Sequence, residues 1–171
     1  MPKVLIMSDS HGLRKEVAMI KDRHKDSVDQ VIHCGDSELD MDAPELYDFM
    51  KVAGNCDIDG RYPNEIDFSV QDLTFFVTHG HLFQVKTTLM PLSYRAEELG
   101  ANVICFGHSH IAGAEVVKGR LFINPGSVRL PRGRKEPTYA ILSWEAKQDV
   151  TVDFYDVSGD KIEEMTYQAA L

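Results

Sequence analysis

Seven side chains of the types that bind metal ions follow short apolar runs of the sequence. A run of apolar and β-branched residues bounded by glycine is typical of a buried strand, so we expect each of these side chains where a strand ends. The carboxyl ends of parallel strands meet at one edge of a sheet, and α/β folds place their binding sites there. The seven residues are Asp9, His11, Asp36, Asn55, His79, His108 and His110.

This set of carboxylate, carboxamide and imidazole groups indicates a site for divalent metal ions. Mixed oxygen and nitrogen ligands suit Mn²⁺, Fe²⁺, Ni²⁺ or Zn²⁺, of which we favour Mn²⁺. Seven side chains are too many for one tetrahedral ion, but they fit two ions about 3.5–4 Å apart that share a bridging carboxylate. Any one of these segments could be an ordinary turn, yet turns do not require histidine, and four of the seven residues are histidines. Of the remaining histidines, we expect His33 in the core and His24 in solvent.

The first half of the chain alternates predicted strands with predicted helices, which is the pattern of βαβ units and a largely parallel sheet. The helices are predicted at residues 13–24 and, in an acidic stretch, at residues 42–49. The strands are predicted in the segments KVLIMS, QVIHC and KVAG. Each strand would end beside one of the ligand-type residues Asp9, Asp36 and Asn55.

The second half combines a hairpin, a helix and a series of short strands. EIDFSV and LTFFVT flank the link Gln71-Asp72, which predicts a hairpin ending near His79. Residues 86–99 predict a helix closed by Gly100, with Pro91 kinking it or delaying its start. After the strand NVICFG, period-2 patterns predict antiparallel strands in AEVVKG, RLFIN, TYAILSW and TVDFYDV. We therefore expect two stacked sheets with helices outside them.

Length and composition restrict the class of protein. The 171 residues, 43% of them hydrophobic, suit a single domain at residues 1–171. A net charge of −9 argues against a broad nucleic-acid-binding surface, and no apolar run approaches the roughly 20 residues of a membrane span. The N-terminal segment MPKVLIMSDS lacks the features of a secretory signal, so we expect a cytoplasmic protein. The widely spaced Cys34, Cys56 and Cys105 fit reduced thiols rather than disulfides.

The ordered motifs D-x-H, G-D, G-N, H-G and G-H-x-H, each behind a predicted strand, resemble the calcineurin-like metallophosphoesterase superfamily. GNCD, THGH, GHSH and INPGSV are similar to the small bacterial and archaeal phosphodiesterases of the YfcE type, and the resemblance covers residues 3 to about 130. It implies a four-layer αββα sandwich of two mixed β-sheets flanked by helices. It also implies one metal held by Asp9, His11, Asp36 and His110, and a second held by Asp36, Asn55, His79 and His108, with Asp36 as the bridge.

The resemblance assigns catalytic roles to Asp36, Asn55 and His79, but the sequence departs from the family at Cys56. In most of the superfamily the residue after Gly-Asn is a histidine that acts as general acid or contacts the phosphate. A thiol with a pKa near about 8.5 could become a ligand beside two cations, so we expect that Cys56 is not the acid. Asp57 and His81 are nearby alternatives. Each has an equally good non-catalytic interpretation, as a carboxylate that orients a histidine and as a surface loop residue.

Four further residues are candidates for substrate contact. The segment NPGS, with Asn124, Gly126 and Ser127, predicts a turn whose backbone would also frame the substrate mouth. Arg129 opens the basic loop RLPRGRK, which is either simply solvated or placed for an anionic substrate.

The sequence thus predicts a metal-dependent phosphoesterase, and we favour phosphodiester hydrolysis by a hydroxide that bridges two divalent metals. Without a histidine acid, good leaving groups such as aryl alcohols fit best. Alternatives are a phosphomonoesterase or nucleotidase on the same metal centre, a mononuclear zinc hydrolase, and a catalytically weak metal-binding scaffold for protein partners, as in the retromer branch of the superfamily. The predicted partner is a small phosphoester or nucleotide-like substrate, and exposed strand edges near the C-terminus would allow a homo-oligomer.

Overall fold

The computed structural model describes all of residues 1–171 and contains eleven strands and two α-helices. Three short 3-10 helices lie at Pro44–Leu46, His81–Phe83 and Glu163–Met165. In chain order, the strands and α-helices are β1 (Lys3–Met7), α1 (Lys15–His24), β2 (Gln30–His33), β3 (Phe49–Lys51), β4 (Glu65–Val70), β5 (Leu73–Thr78), α2 (Met90–Leu99), β6 (Val103–Cys105), β7 (Gly113–Val117), β8 (Arg120–Asn124), β9 (Thr138–Ala146), β10 (Asp149–Asp156) and β11 (Tyr167–Ala169).

The first sheet has six strands in the order β11-β10-β9-β1-β2-β3. Strands β1, β2 and β3 are parallel, whereas β9 runs antiparallel to both β1 and β10. The last four residues of β1 are all buried, which is typical of a strand covered on both faces. The carboxyl ends of β1, β2 and β3 therefore lie at one edge of the sheet, as the alternating sequence pattern predicted.

The second sheet has five strands in the order β4-β5-β6-β8-β7. The predicted hairpin is confirmed, because β4 and β5 pair antiparallel around a turn in which Gln71 has a φ of 52°. Strands β5, β6 and β8 are parallel, and β7 pairs antiparallel with β8. Both sheets are mixed, as expected.

The two sheets stack over a core of 19 buried residues that includes Phe75 and Trp144. Helix α1 covers the outer face of the first sheet through residues such as Val17, and α2 covers the outer face of the second through residues such as Leu92. This arrangement is the four-layer αββα sandwich that the resemblance implied. Neither α-helix has the length and apolar composition that crossing a membrane would require.

The helix predicted in the acidic stretch 42–49 is wrong. Only Pro44–Leu46 forms a single 3-10 turn, and β3 follows almost directly. Ala43 is extended, with a ψ of 135°, because a residue before proline is disfavoured in the helical region. Strand β3 also ends at Lys51, so the segment KVAG contributes only its first residue to the strand.

The helix predicted at residues 86–99 begins only at Met90. Pro91 lies in its first turn, where no N–H donor is needed, so this proline delays the helix rather than kinking it. Gly100 closes the helix as predicted, with a φ of 64°. The three-residue strand β11 was not predicted, since so short a segment shows no clear period.

Two histidines outside the predicted ligand set differ in their surroundings. His33 is 1% exposed, which confirms its predicted place in the core. The prediction of a solvated His24 is wrong, because the end of α1 packs its ring against two tyrosines of the first sheet. Nε2 of His24 lies 2.7 Å from the hydroxyl oxygen of Tyr139.

Candidate metal centre

The loops that follow β1 and β2 of the first sheet meet the loops that follow β5 and β6 of the second. The N–H of Asp9 donates to the carbonyl oxygen of Gly35 at 3.0 Å, and the N–H of Gly107 donates to that of His79 at 3.0 Å. The N–H of His108 donates to Oδ2 of Asp9 at 3.1 Å, which joins the two pairs of loops across the sheets. The structure therefore gathers the predicted strand ends in one place.

Three histidine Nε2 atoms converge on one carboxylate oxygen, Oδ1 of Asp9. The distances from this oxygen are 3.1 Å to His110, 3.7 Å to His11 and 3.7 Å to His79. Nε2 of His79 also lies 3.1 Å from Oδ2 of Asp36. The side chains of Asp9 and His79 have no exposed surface, so these atoms meet away from solvent.

Hydrogen bonds at the opposite ring nitrogens set the orientation of the three imidazoles. Nδ1 of His79 lies 2.8 Å from the carbonyl oxygen of Cys34, and Nδ1 of His110 lies 2.7 Å from that of Leu130. A carbonyl oxygen only accepts, so Nδ1 carries the proton and Nε2 presents a lone pair. Nδ1 of His11 faces Oε1 of Glu38 at 2.7 Å in the same way.

This arrangement leaves buried polar atoms without a partner. Oδ1 of Asp9 and Nε2 of His79 are buried and form no hydrogen bond. Histidines are the only basic side chains close to the carboxylates of Asp9 and Asp36, and no lysine or arginine neutralises them. An unpaired buried carboxylate facing imidazole lone pairs is strongly unfavourable unless a cation lies between them. The residues present therefore fit a divalent metal ion.

Ligand-type atoms that lie within 4.8 Å of one another form three groups. Asp9 and Asp36 each occur in two of the groups, so both carboxylates reach more than one cluster of ligands. The resemblance had identified Asp36 alone as the bridge. The groups are Asp9 with His11 and His110, Asp9 with Asp36 and His79, and His11 with Asp36 and Cys56.

The electrostatics of the site favour a positive charge. Contact with Asp9 raises the pKa of His11 to about 9, although partial burial opposes this change. Burial on its own would lower the pKa of His79, but Asp36 and Asp9 together raise it. Burial would raise the pKa of Asp36, yet contact with His79 keeps it below its usual value. The two carboxylates thus stay ionised and stabilise cations beside them.

Several of the predicted ligands have a strained backbone. Their φ angles lie between 41° and 70°, a left-handed conformation that L-residues rarely adopt. Such conformations cost on the order of 1–3 kcal/mol each and are typical of binding and catalytic sites. The residues are Asp9, His11, Asp36, His108 and His110.

Asp57 holds the loop that carries Asp36. Its Oδ2 accepts the N–H groups of Asp36 at 2.8 Å and Gly54 at 2.7 Å, and its Oδ1 accepts the N–H of Glu38 at 2.9 Å. Gly54 packs so tightly that a side chain at this position would overlap the carboxylate of Asp36. Both oxygens of Asp57 are thus engaged by the backbone, rather than by a histidine as its non-catalytic interpretation proposed.

Two predicted ligands lie at the margin of the converging atoms. Asn55 is exposed, and its Nδ2 donates to Sγ of Cys56 at 3.6 Å. The ring of His108 is partly buried, with its centroid 5.1 Å from that of His79. Burial and the charge of His79 lower the pKa of His108 to about 4, so its ring is neutral near pH 7. His108 belongs to none of the three groups of ligand atoms.

The sequence left Asp57 and His81 as alternatives for a general acid and argued against Cys56, and the structure places Cys56 and His81 as follows. Cys56 lies beside the carboxylate of Asp36, whose Oδ1 accepts its N–H at 2.8 Å. Partial desolvation and the charges of Asp36 and Glu38 raise the pKa of the Cys56 thiol to about 11. The ring of His81 lies 5.5 Å from that of His79, between centroids, and its buried Nδ1 has no hydrogen-bond partner. The ring of His81 is thus partly buried beside a predicted ligand, and a catalytic role for it stays a prediction.

The four residues predicted to contact substrate fall into two kinds. Asn124, Gly126 and Ser127 are buried, and two of them hold the ligand loops. Nδ2 of Asn124 donates to the carbonyl oxygen of Gly107 at 3.2 Å, and Oγ of Ser127 donates to that of Asp9 at 2.7 Å. Arg129 is exposed, and its guanidinium donates to the carbonyl oxygen of His11.

Sequence reasoning missed the groups that orient the ligands. Oγ of Ser8 donates to Oδ2 of Asp9 at 2.6 Å, and the carboxylate of Glu38 fixes the ring of His11. Glu38 gave a weak signal, since it follows Asp36 by two residues. The carbonyl oxygens of Cys34 and Leu130 gave none, because every residue has one.

Comparison with proteins of known sequence identifies the family. Residues 2–147 match the calcineurin-like phosphoesterase superfamily domain. The chain is 52% identical over 168 residues to the probable metallophosphoesterase YsnB of Bacillus subtilis (strain 168), a match that covers 98% of this chain and 99% of that protein. It is 32% identical over 100 residues to the phosphodiesterase YfcE of Escherichia coli (strain K12), covering 53% of this chain and 50% of that one.

A solved structure supports the same assignment. A predicted phosphoesterase from Streptococcus pneumoniae TIGR4 has a TM-score of 0.95 and 33% sequence identity, with 99% of this chain and 98% of that chain covered. The family match spans all seven of the predicted metal ligands. The chain therefore belongs to the calcineurin-like phosphoesterase superfamily.

Proposed function

We propose that this protein hydrolyses phosphodiesters with two divalent metal ions, preferably Mn²⁺. The observation that carries the proposal is the buried, unpaired Oδ1 of Asp9, which faces the Nε2 atoms of three histidines. When bound, two such ions supply Lewis acidity and an activated water for attack on phosphorus. Relatives named metallophosphoesterase and phosphodiesterase support this class of reaction.

The ligand-type residues would divide the two ions between them. We assign one ion to Asp9, His11, Asp36 and His110, and the other to Asp36, Asn55, His79 and His108. The contacts add Asp9 as a second carboxylate that both ions could share, because it reaches His79 as well as His11 and His110. The hydrogen bonds at Nδ1 keep three of the imidazoles turned toward the ions, which preserves the geometry before any metal arrives.

A water molecule is the expected nucleophile, since no side chain is placed to attack phosphorus. Ser8 and Ser10 are fully buried, and Ser8 already donates its proton to Asp9. The Cys56 thiol, with a pKa of about 11, stays protonated at neutral pH and is a poor nucleophile in that form. Hydrolysis would therefore proceed without a covalent enzyme intermediate.

The protein lacks an evident general acid, which favours substrates with good leaving groups. Burial lowers the pKa of both His108 and His81, so neither ring is protonated to a useful extent near pH 7. Aryl phosphodiesters need little protonation of the departing oxygen and should be cleaved best. Arg129, exposed beside the ligand loops, is available to pair with an anionic phosphate oxygen.

Removal of metal tests the proposal. Dialysis against a chelator should abolish hydrolysis of bis-p-nitrophenyl phosphate, and added Mn²⁺ should restore it. The restored protein should contain about two Mn²⁺ ions per chain. Asp9→Asn should not recover activity, whereas Asp26→Asn, at an exposed acid in the turn that follows α1, should behave like the wild type. Full activity in metal-free protein would refute metal dependence, and full activity with one ion would refute the dinuclear centre.

Metal binding without turnover of monoesters, diesters or cyclic nucleotides would favour the alternative of a metal-binding scaffold. Turnover of monoesters alone would favour a phosphomonoesterase. The same set of substrates therefore separates all three functions.

A further inference from the structure

A cavity of about 390 Å³ adjoins the candidate metal centre and is not used by the mechanism described above. It lies between the segment that leads into α2 and the strands β7 and β8, and the loop after β6 forms one end of it. We call it the side cleft and define it by Val85, Phe106, Ser109, Ile111 and Gly113. Its volume is within the range of about 300–1,000 Å³ that is usual for small-molecule sites.

The floor of the side cleft is apolar and well packed. Val85, Phe106 and Phe122 are 9%, 7% and 1% exposed and belong to the core between the second sheet and α2. Ile111 stands at the rim and is 54% exposed. A pre-formed cavity that is lined mainly by apolar side chains is typical of a small-molecule binding site.

Gly113 leaves one wall of the cleft open. Its neighbour Ala114 packs against the core between the sheets, so Gly113 faces the opposite side, toward α2. A Cβ built at Gly113 meets no atom within 4 Å. The absence of a side chain therefore keeps space free at this position.

Polar groups concentrate at the end of the cleft next to the metal centre. Ser109 lies between the candidate ligands His108 and His110, and its Oγ accepts from Nδ2 of Asn124 at 2.9 Å and from the N–H of Ile111 at 3.3 Å. Because both bonds use Oγ as the acceptor, its own proton remains available to a bound molecule. Lys86 adds an exposed cation to the lining, and Glu115 in β7 adds an exposed carboxylate.

We infer that the side cleft binds an aromatic organic group, such as an aryl ring or a nucleobase, of the phosphodiester whose phosphate lies at the candidate metal centre. The inference rests on the proposed function and adds the class of substrate to it. A flat ring can lie along the apolar lining that includes Phe106 and Phe122, and Ser109 at the polar end is flanked in sequence by the candidate ligands His108 and His110. A small alkyl ester would leave the cleft empty.

Binding of phenyl phosphate and methyl phosphate to protein loaded with diamagnetic Zn²⁺ tests this inference, because the two probes differ only in the organic group. In calorimetric titrations, we expect the wild type to bind phenyl phosphate at least about tenfold more tightly than methyl phosphate. Even one methylene in an apolar pocket changes affinity about 10- to 200-fold. Gly113→Val should place its side chain in the cleft and lose this preference, with methyl phosphate binding unchanged. Gly60→Val, at an equally open glycine outside the cleft, should keep the preference.

Amide chemical shifts provide a second measurement that needs no variant. Phenyl phosphate should shift the resonances of Ile111 and Gly113 in the wild type, and methyl phosphate should not. Equal affinities for the two probes, or ring-dependent shifts confined to other surfaces, would overturn the inference. If Gly113→Val fails to fold, Ile111→Ala at the exposed rim takes its place and should weaken binding of phenyl phosphate alone.

The two proposals fail separately, because binding is measured without turnover. A preference for the ring in a protein that hydrolyses no phosphoester would refute the proposed function and retain the side cleft as a binding site. Hydrolysis without any preference for the ring would refute the side cleft and retain the proposed function.

Discussion

Protonation of His33 should loosen the two loops that carry Asp9 and Asp36. The buried ring of His33 joins these loops, because its Nδ1 accepts the N–H of Gly35 at 3.1 Å and its Nε2 lies 2.9 Å from Oγ of Ser10. The bond from Gly35 requires a lone pair on Nδ1, so the neutral ring carries its proton on Nε2. A second proton on Nδ1 would remove the lone pair that accepts the N–H of Gly35 and would therefore break this hydrogen bond.

The size of the effect follows from the pKa of His33. Complete burial is the main cause that lowers this pKa from 6.5 to about 4 in the folded protein. A tenfold change in proton affinity corresponds to about 1.4 kcal/mol, so the difference amounts to about 3 kcal/mol of folding free energy. Because the folded pKa is below the unfolded one, this stability is fully present above pH 6.5 and is lost as the pH falls toward 4.

Urea denaturation of metal-free protein between pH 7.5 and about 4 measures this contribution in a comparison with His33→Asn. The amide oxygen of asparagine can still accept the N–H of Gly35, but the side chain does not titrate. The stability advantage of the wild type over this variant should shrink by about 3 kcal/mol across the range. Ile32→Val, a neighbouring core change without an ionisable group, should cost about 0.5–1.5 kcal/mol at every pH. An advantage over His33→Asn that stays constant with pH would refute the reasoning.

Two further predictions concern the candidate metal centre. Asp36→Asn should lower kcat/KM for an aryl phosphodiester more than 100-fold, because the amide N–H of the new asparagine would donate to Nε2 of His79 and block its lone pair. Asn55→Asp should cost less, because it keeps an oxygen ligand at this position. Metal analysis should show reduced occupancy for Asp36→Asn, and two retained ions with normal turnover would contradict its shared role. At matched metal occupancy, Cys56→Ala should hydrolyse the aryl substrate at a rate within about twofold of the wild-type rate. Cys56→His should gain activity by about 10²–10⁴-fold, but only on esters with alkyl leaving groups. A large loss in Cys56→Ala on the aryl substrate would show that the thiol participates.

Local signals in the sequence predicted most of the fold. Apolar runs such as the one in β1 mark strands, and Gly100 marks the end of α2, because both signals depend on nearby residues alone. Strand order depends on contacts between distant segments, and no local signal indicates that β9 pairs with β1. The packing of His24 is a similar case, since it requires Tyr139 from a distant part of the chain. The acidic stretch 42–49 has a helical composition, but Pro44 and the pairing of β3 with β2 override it.

The same distinction applies to the candidate site, where the sequence predicts the residue types but not the orientation of their side chains. The carboxylates and imidazoles could be identified because they follow predicted strand ends, as at Asp36 and His79. The direction in which an imidazole presents its lone pair depends on partners such as the carbonyl oxygens of Cys34 and Leu130. These partners come from other loops and carry no distinctive side chain, so only the structure reveals them.

The hydrogen bonds of Asp9 and Asp36 explain how the candidate site keeps its shape without metal. Oδ2 of Asp9 accepts from Oγ of Ser8 at 2.6 Å and from the N–H of His108 at 3.1 Å, which leaves Oδ1 facing the histidines. Oδ1 of Asp36 accepts the N–H of Cys56 at 2.8 Å, which leaves Oδ2 beside His79. Each carboxylate thus uses one oxygen to fix its loop and presents the other to the cluster of ligands. Because the protein fixes these oxygens in advance, a metal ion would bind to a formed site and would gain affinity from the unpaired charge that folding has already buried.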